Sequence, residues 1–275
     1  MLANLKRDIP RLVSLAGPLL VGQLAVIAFG VMDTAMVARY STEDLAALAI
    51  SGSIFISIYV GLTGVVSALA PIAGQLFGAK RFDEIGEEVR QGWWLSIALS
   101  IVGMLILLYP QVFLSIAKAS PEVEAKAVLY LQILAWGLPA SMAMRVLVAF
   151  HNAVSRPTVI TWLQIGGLFI KIPLNVWLIY GGFGVDAMGG PGCALATVII
   201  NWTWFTAAAL IVYHDRFYHQ FQVYKQLSWP DFHKIGTLLK LGLPIGFSYL
   251  IEVTSFAFMA SVSYTHLTLP TNREV

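Results

Sequence analysis

Apolar residues in this chain come in long unbroken runs rather than in alternation. The runs cover residues 12–37, 45–69, 92–116, 128–149, 159–180, 193–213 and 235–260. Each is close to the ~20 helical residues needed to cross a ~30 Å hydrocarbon core. In lipid only helices or closed barrels satisfy the backbone. A barrel would show ~10-residue segments of alternating polarity, and no such alternation is present. The pattern predicts seven membrane helices. Polar stretches at 75–91, 118–126 and 214–234 separate some of them, and Trp93, Trp94, Tyr109, Tyr180, Tyr213 and Trp229 fall near predicted ends, as an interfacial aromatic belt would.

Composition strengthens that reading. Of 275 residues, 58% are hydrophobic and 12% charged, against about a quarter charged in soluble domains. Mean hydropathy is +0.76. The expected surroundings are therefore a lipid bilayer. A net charge of +2 gives no reason to expect a nucleic-acid partner. The lone cysteine, Cys193, rules out an intrachain disulfide or a Cys-based metal centre. Residues 1–11 are basic like a signal n-region, but the apolar run that follows is too long for a signal h-region, so helix one is retained.

Orientation follows from Lys and Arg. With the N-terminus inside, Lys6, Arg7, Arg11, Lys80, Arg81, Arg90, Arg156, Arg216, Lys225, Lys234 and Lys240 are cytoplasmic, and only Arg39, Lys118 and Lys126 are external. That bias predicts a cytoplasmic N-terminus.

A weak repeat sets the domain organisation. The segment from Leu15 through Pro18 to Leu24 aligns with that from Leu241 through Pro244 to Leu250, at an offset of 226. Both open helices entered from the cytoplasm, six helices apart, as in two parallel six-helix halves. The fold class is thus all-α and polytopic. Residues 1–213 form a six-helix N-terminal lobe, 214–234 a cytoplasmic linker, and 235–260 the first helix of a second lobe whose remainder is missing. Residues 261–275 are polar, break the pattern and read as a non-native tail. On this reading helix seven packs loosely.

Chemistry is concentrated in charges inside the membrane, each costing at least ~2.5–3.5 kcal/mol on insertion scales. Asp33 lies late in helix one, and Glu252 about 17 residues into helix seven. Both are candidates for binding a cation or proton in a central cavity, against the plainer alternative of an interfacial helix cap. Lys171 and Asn175 stand i, i+4 on one face of helix five, with Pro173 between them. Lys171 suits a functional cation or a structural ion pair. Arg145 is expected to snorkel from the inner end of helix four. Prolines 18, 139, 173 and 244 are expected to bend their helices. Residues 182–187 match G-x-G-x-x-A, but no strand precedes them, so they read as an external turn. The histidines lack metal spacing and are expected in solvated or interfacial positions. Nothing predicts catalysis, a cofactor or a resident metal.

At these residues the chain resembles the MATE family of multidrug and toxic-compound extrusion transporters, in its NorM-like bacterial branch. Residues 31–37 around Asp33 look like the family's helix-one acidic motif. Residues 70–81 are similar to its segment closing helix two. Residues 171–181, running on to 189–197, look like its helix-five to helix-six signature. Gly242-Leu-Pro244 through Glu252-Val-Thr254 resembles its helix-seven motif. The resemblance implies twelve helices in two lobes, a bacterial inner membrane, and export of cationic amphipathic drugs in exchange for Na⁺ or H⁺. It implies Asp33 in the N-lobe cavity and the coupling cation, Na⁺ among the candidates, at Glu252. The later acidic residue of the family's second lobe has no counterpart here. A lipid-linked oligosaccharide flippase of the same superfamily and a membrane-embedded enzyme are the alternatives. The first would want more basic residues in the cavity, and the second a nucleophile–base pair.

Overall fold

A computed structural model describes the backbone of residues 2–117, 119–182, 184–225 and 228–268, and among these the side chains of 16–115, 119–182, 184–225, 228–255 and 259. Along the chain run α1 (Leu2–Tyr40), α2 (Thr42–Ser67), α3 (Leu69–Gly78), α4 (Phe82–Leu108), α5 (Gln111–Ala117), α6 (Pro121–Ala135), α7 (Leu138–Ala153), α8 (Pro157–Tyr180), α9 (Gly190–His214), the single turn α10 (Arg216–His219) and α11 (Phe232–Thr268). Among the described residues six segments are long and apolar enough to cross a membrane, or seven if α6 and α7 count as one broken span.

The additional boundaries have local causes. Helix four breaks between α6 and α7 with a 48° bend, at Trp136 and Gly137 just before Pro139, whose ring denies a donor to the helical ladder. Pro110 separates α5 from α4, so the predicted third span is two helices. Ala68 separates α2 from α3, which carries the second span on to Gly78. Pro173 and Pro244 lie within α8 and α11. The segment 182–187 is a tight turn, with Gly182 bridged to Val185 and the Trp177 indole donating to the Gly182 carbonyl at 2.8 Å. The seventh helix extends through Thr268, past the predicted end at 260, and residues 269–275 lie outside the described residues.

One rim of the bundle is tied together by Asp44. Ser41 caps α2 by accepting from the Asp44 amide at 3.3 Å. The buried Asp44 carboxylate accepts from the Gly190 amide at the start of α9, at 3.0 Å, and meets the Lys126 ammonium of α6 at 2.6 Å. An anion at a helix N-terminus is favoured by the orphan N–H groups there. Gly189 (φ +62°) makes the approach feasible, because a Cβ at that position would collide with the Asp44 carboxylate. The opposite rim is held by the start of α4. Arg90 donates to the Gln222 and Val223 carbonyls at 2.8 and 3.2 Å. Gln91 donates to the Trp229 carbonyl and accepts from the Asp231 amide. The Trp94 indole donates to the Ser228 carbonyl. The chain leading into α11 is thereby fixed to α4.

The expectation of a loosely packed seventh helix is wrong. α11 lies along α2 with backbones in direct contact. A Cβ on Gly64 would run into the Gly246 backbone, and one on Gly242 into the Val65 carbonyl. Lipid supplies no hydrophobic drive between helices, so small residues that admit close van der Waals packing carry the association. α11 stays exposed at Leu243, Phe247 and Ile251, the first two lining a groove shared with α2.

Two outcomes follow from these contacts. Gly64→Leu overfills the α2–α11 interface, at a cost of ~1–3 kcal/mol. A short bis-thiosulfonate linker joining cysteines at positions 61 and 250, where the glycine meets the Leu250 side chain, will therefore cross-link the parent and fail in Gly64→Leu. Asp44→Ala strips the Gly190 amide and Lys126 of their shared partner and lowers the thermal midpoint of the detergent-solubilised protein. An unchanged midpoint would show that the Asp44 tie contributes nothing.

Candidate functional site: a buried ion pair beside an aromatic cavity

α1 packs lengthwise on α8, and that contact brings together three of the five residues singled out by sequence, Asp33, Lys171 and Asn175. The Lys171 ammonium donates to Asp33 Oδ2 at 2.6 Å, and the Asn175 amide donates to Asp33 Oδ1 at 2.7 Å. One helical turn separates the two donors, so a single face of α8 engages both oxygens of one carboxylate. The Lys171 and Asn175 side chains are buried, and the Asp33 side chain keeps 13% of its surface exposed. Asn175 Oδ1 is also buried, and among the described residues it has no hydrogen-bond partner.

An ion pair here must offset several kcal/mol of desolvation per charge, which requires close geometry and extra hydrogen bonds. The Asn175 donor supplies one such bond. The Phe29 ring adds a second kind of contact, with the Lys171 nitrogen 5.1 Å from its centroid, within cation–π range. Phe29 is held in turn by the edge of Trp204, at 5.1 Å and 82°. One turn beyond Asp33, Val37 is buried in a cluster with Tyr130, Ile179 and Cys193, which closes the pair off on that side.

On the other side lies a cavity of about 200 Å³, lined by Asp33, Lys171, Phe29, Tyr59, Asn201 and Trp204 among others. Four aromatic rings, Phe29, Phe55, Tyr59 and Trp204, share its wall with aliphatic and polar side chains and with the one carboxylate and one ammonium. Sequence reasoning found the charges and missed the rings. The signal was available for Phe29, which precedes Asp33 by four residues and so shares its helix face. Tyr59 and Trp204 lie on α2 and α9, and nothing in the chain connects them to Asp33.

The other candidates stand apart. Arg145 does not snorkel. Its Nε donates to the Tyr59 hydroxyl at 2.9 Å, and the guanidinium carbon lies 5.4 Å from the centre of that ring, which holds the charge against α2. Glu252 lies on an exposed part of α11, outside the lining of the Asp33 cavity. Among the described residues it forms no hydrogen bond or ion pair closer than 4 Å. The expectation of solvated histidines fails at His151, which is fully buried in α7 with Nδ1 at 2.7 Å from the Leu147 carbonyl. Among the described residues no group of three metal-capable side chains converges.

The MatE family model matches residues 18–177. A probable multidrug resistance protein NorM of Aromatoleum aromaticum is 37% identical over 250 residues, covering 91% of this chain and 54% of the relative. The multidrug resistance protein PmpM of Pseudomonas aeruginosa is 35% identical over 258 residues, covering 94% and 54%. Among solved structures, the eukaryotic MATE transporter AtDTX14 superposes with a TM-score of 0.80 at 23% identity, covering 96% of this chain and 57% of that one. The chain thus spans about half the length of the relatives it matches, over a shared fold and with more than a third of positions identical to the first of them. It belongs to the MATE family.

Proposed function

We propose that this chain supplies the N-terminal lobe, with the first helix of the second, of a secondary antiporter that expels cationic amphipathic drugs in exchange for Na⁺ or H⁺. Its setting is the bacterial inner membrane, with the N-terminus cytoplasmic and a C-terminal lobe as partner. It is a carrier and not an enzyme. The observation that carries the reading is a carboxylate, Asp33, opening onto an aromatic cavity among the helices of a lipid-embedded bundle. Aromatic faces and a fixed negative charge are what a desolvated organic cation needs. The multidrug resistance names of relatives at 35–37% identity support drug export.

Exchange follows from competition. A carboxylate in a low-dielectric site is stabilised by the cation that neutralises it, and a drug cation and a coupling ion held at once in one low-dielectric bundle repel each other. Alternating access of two lobes about a midplane site then turns competition into transport. In this scheme Asp33 serves the cargo, with Lys171 and Asn175 setting its charge and orientation. Glu252, which has no partner of its own among the described residues, serves the coupling ion.

Export of an anionic amphiphile is the second reading. It draws on Lys171, which lines the cavity, and on Arg145, which is held by the cavity-lining Tyr59. Arg145→Gln distinguishes the two, since it would abolish export of a phosphate-bearing lipid analogue and spare that of ethidium.

The main test is gradient-driven ethidium efflux in everted vesicles, at matched protein level, by the transporter that carries this sequence. Glu252→Gln should bring efflux to the level of empty vesicles while leaving the protein folded and inserted, because a neutral amide neither takes up a proton nor replaces a carboxylate toward Na⁺. Asp33→Asn should reduce efflux at least tenfold. Normal Na⁺- or H⁺-driven efflux by Glu252→Gln would make Glu252 a structural residue.

A further inference from the structure

The cavity beside Asp33 is not an open cation site. Both carboxylate oxygens already accept from α8, and the stronger donor is itself a full positive charge at 2.6 Å. A second cation brought to Asp33 would lie beside the Lys171 ammonium in a space of about 200 Å³, below the ~300 Å³ at which drug-sized pockets begin. Like charges confined at that range in low dielectric repel strongly. A cationic cargo therefore cannot add to this arrangement. It has to replace part of it.

A place for the replaced group lies within one helical turn. Asn175 Oδ1 is buried and accepts no hydrogen bond among the described residues, an uncommon state for a buried amide oxygen. Its residue stands four positions from Lys171 on the same face of α8. An ammonium carries three donors on a flexible four-carbon stem, and that oxygen lies on the same helix face one turn away.

We infer that Lys171 is a tethered counter-cation, seated on Asp33 when the cavity is empty and displaced toward Asn175 Oδ1 when a cationic cargo takes its place. The inference rests on the cation-export reading and adds to it a residue that sets cargo affinity. An internal competitor lowers apparent affinity by the fraction of time the site is free. It also means that the empty transporter never presents a bare buried carboxylate. Asp33 is neutralised in turn by lysine and by cargo, and the loaded site carries one net positive charge, on the ammonium displaced toward the Asn175 oxygen.

The test is equilibrium binding of radiolabelled tetraphenylphosphonium to the purified protein in lipid nanodiscs. The variants are Lys171→Gln, Lys171→Arg, Asp33→Asn and the double variant Asp33→Asn/Lys171→Gln. Removing the competitor in Lys171→Gln should tighten binding about tenfold, corresponding to a parent site free roughly a tenth of the time. The double variant should lose that gain, since the gain acts through Asp33. Lys171→Arg keeps the charge, and its fork holds a carboxylate by two bonds, so binding should weaken several-fold. Lys171→Arg also decides the matter if Lys171→Gln does not fold. Lys171→Gln binding no tighter than a parent that does bind, or Lys171→Arg binding as well as the parent, would overturn the inference alone. Absence of binding by every variant, Lys171→Gln included, would overturn the cation-export reading and the inference with it.

Discussion

The bundle is organised around the neutralisation of one buried charge. Asp33 and Lys171 lie 138 residues apart in sequence, and each would be costly inside lipid on its own. Together, with Asn175 as a further donor, they form a neutral unit that exists only when α1 and α8 meet in one rotational setting. Lipid gives helices little hydrophobic reason to prefer one face over another, so a polar contact of this kind chooses the face. Once it is chosen, Phe29 is brought over the ammonium and against Trp204 of α9, and the cavity acquires its aromatic wall as a consequence.

The α2–α11 contact solves the same problem by steric means. Gly64, Gly242 and Gly246 let two backbones touch, and no charge is involved. The two devices meet on α2. Gly61 and Gly64 face α11, while Tyr59, two residues before Gly61, lines the cavity and holds Arg145 of α7. A rigid displacement of α11 against α2 would thus be applied within one turn of a residue that lines the Asp33 cavity. Packed helices pass such a shift on because their interiors are close to crystalline density.

What the sequence disclosed, and what it did not, follows from what hydropathy encodes. Run length reports the number and approximate extent of spans, because bilayer thickness fixes both. Intramembrane charges announce themselves by cost, and the i, i+4 spacing of Lys171 and Asn175 places them on one face. The rotation of each helix leaves almost no trace, since a span surrounded partly by lipid is apolar on every side. So the partnership of Asp33 with Lys171, the turning of Arg145 onto Tyr59 and the burial of His151 all depended on the three-dimensional packing. The glycines of α2 and α11 are individually unremarkable and become meaningful only when one is seen against another. The tie at Asp44 was missed because its partners, Gly190 and Lys126, come from distant parts of the chain and share no motif.

The two acids singled out by sequence sit in opposite conditions, and the difference bears on their proposed roles. Asp33 has its charge balanced within the lobe by a lysine and an amide. Glu252 has no ion-pair partner within 4 Å among the described residues and sits one residue from the exposed Ile251, on a helix that also bares Phe247. An arriving small ion gains little at a carboxylate that already carries an ammonium, and gains most at one that carries nothing. On the proposed antiport reading, that asymmetry divides the work. The lobe containing Asp33 is suited to a large cation whose aromatic contacts help it outcompete lysine. Glu252 is suited to a proton or Na⁺, which has no such contacts to offer and needs a carboxylate not yet neutralised.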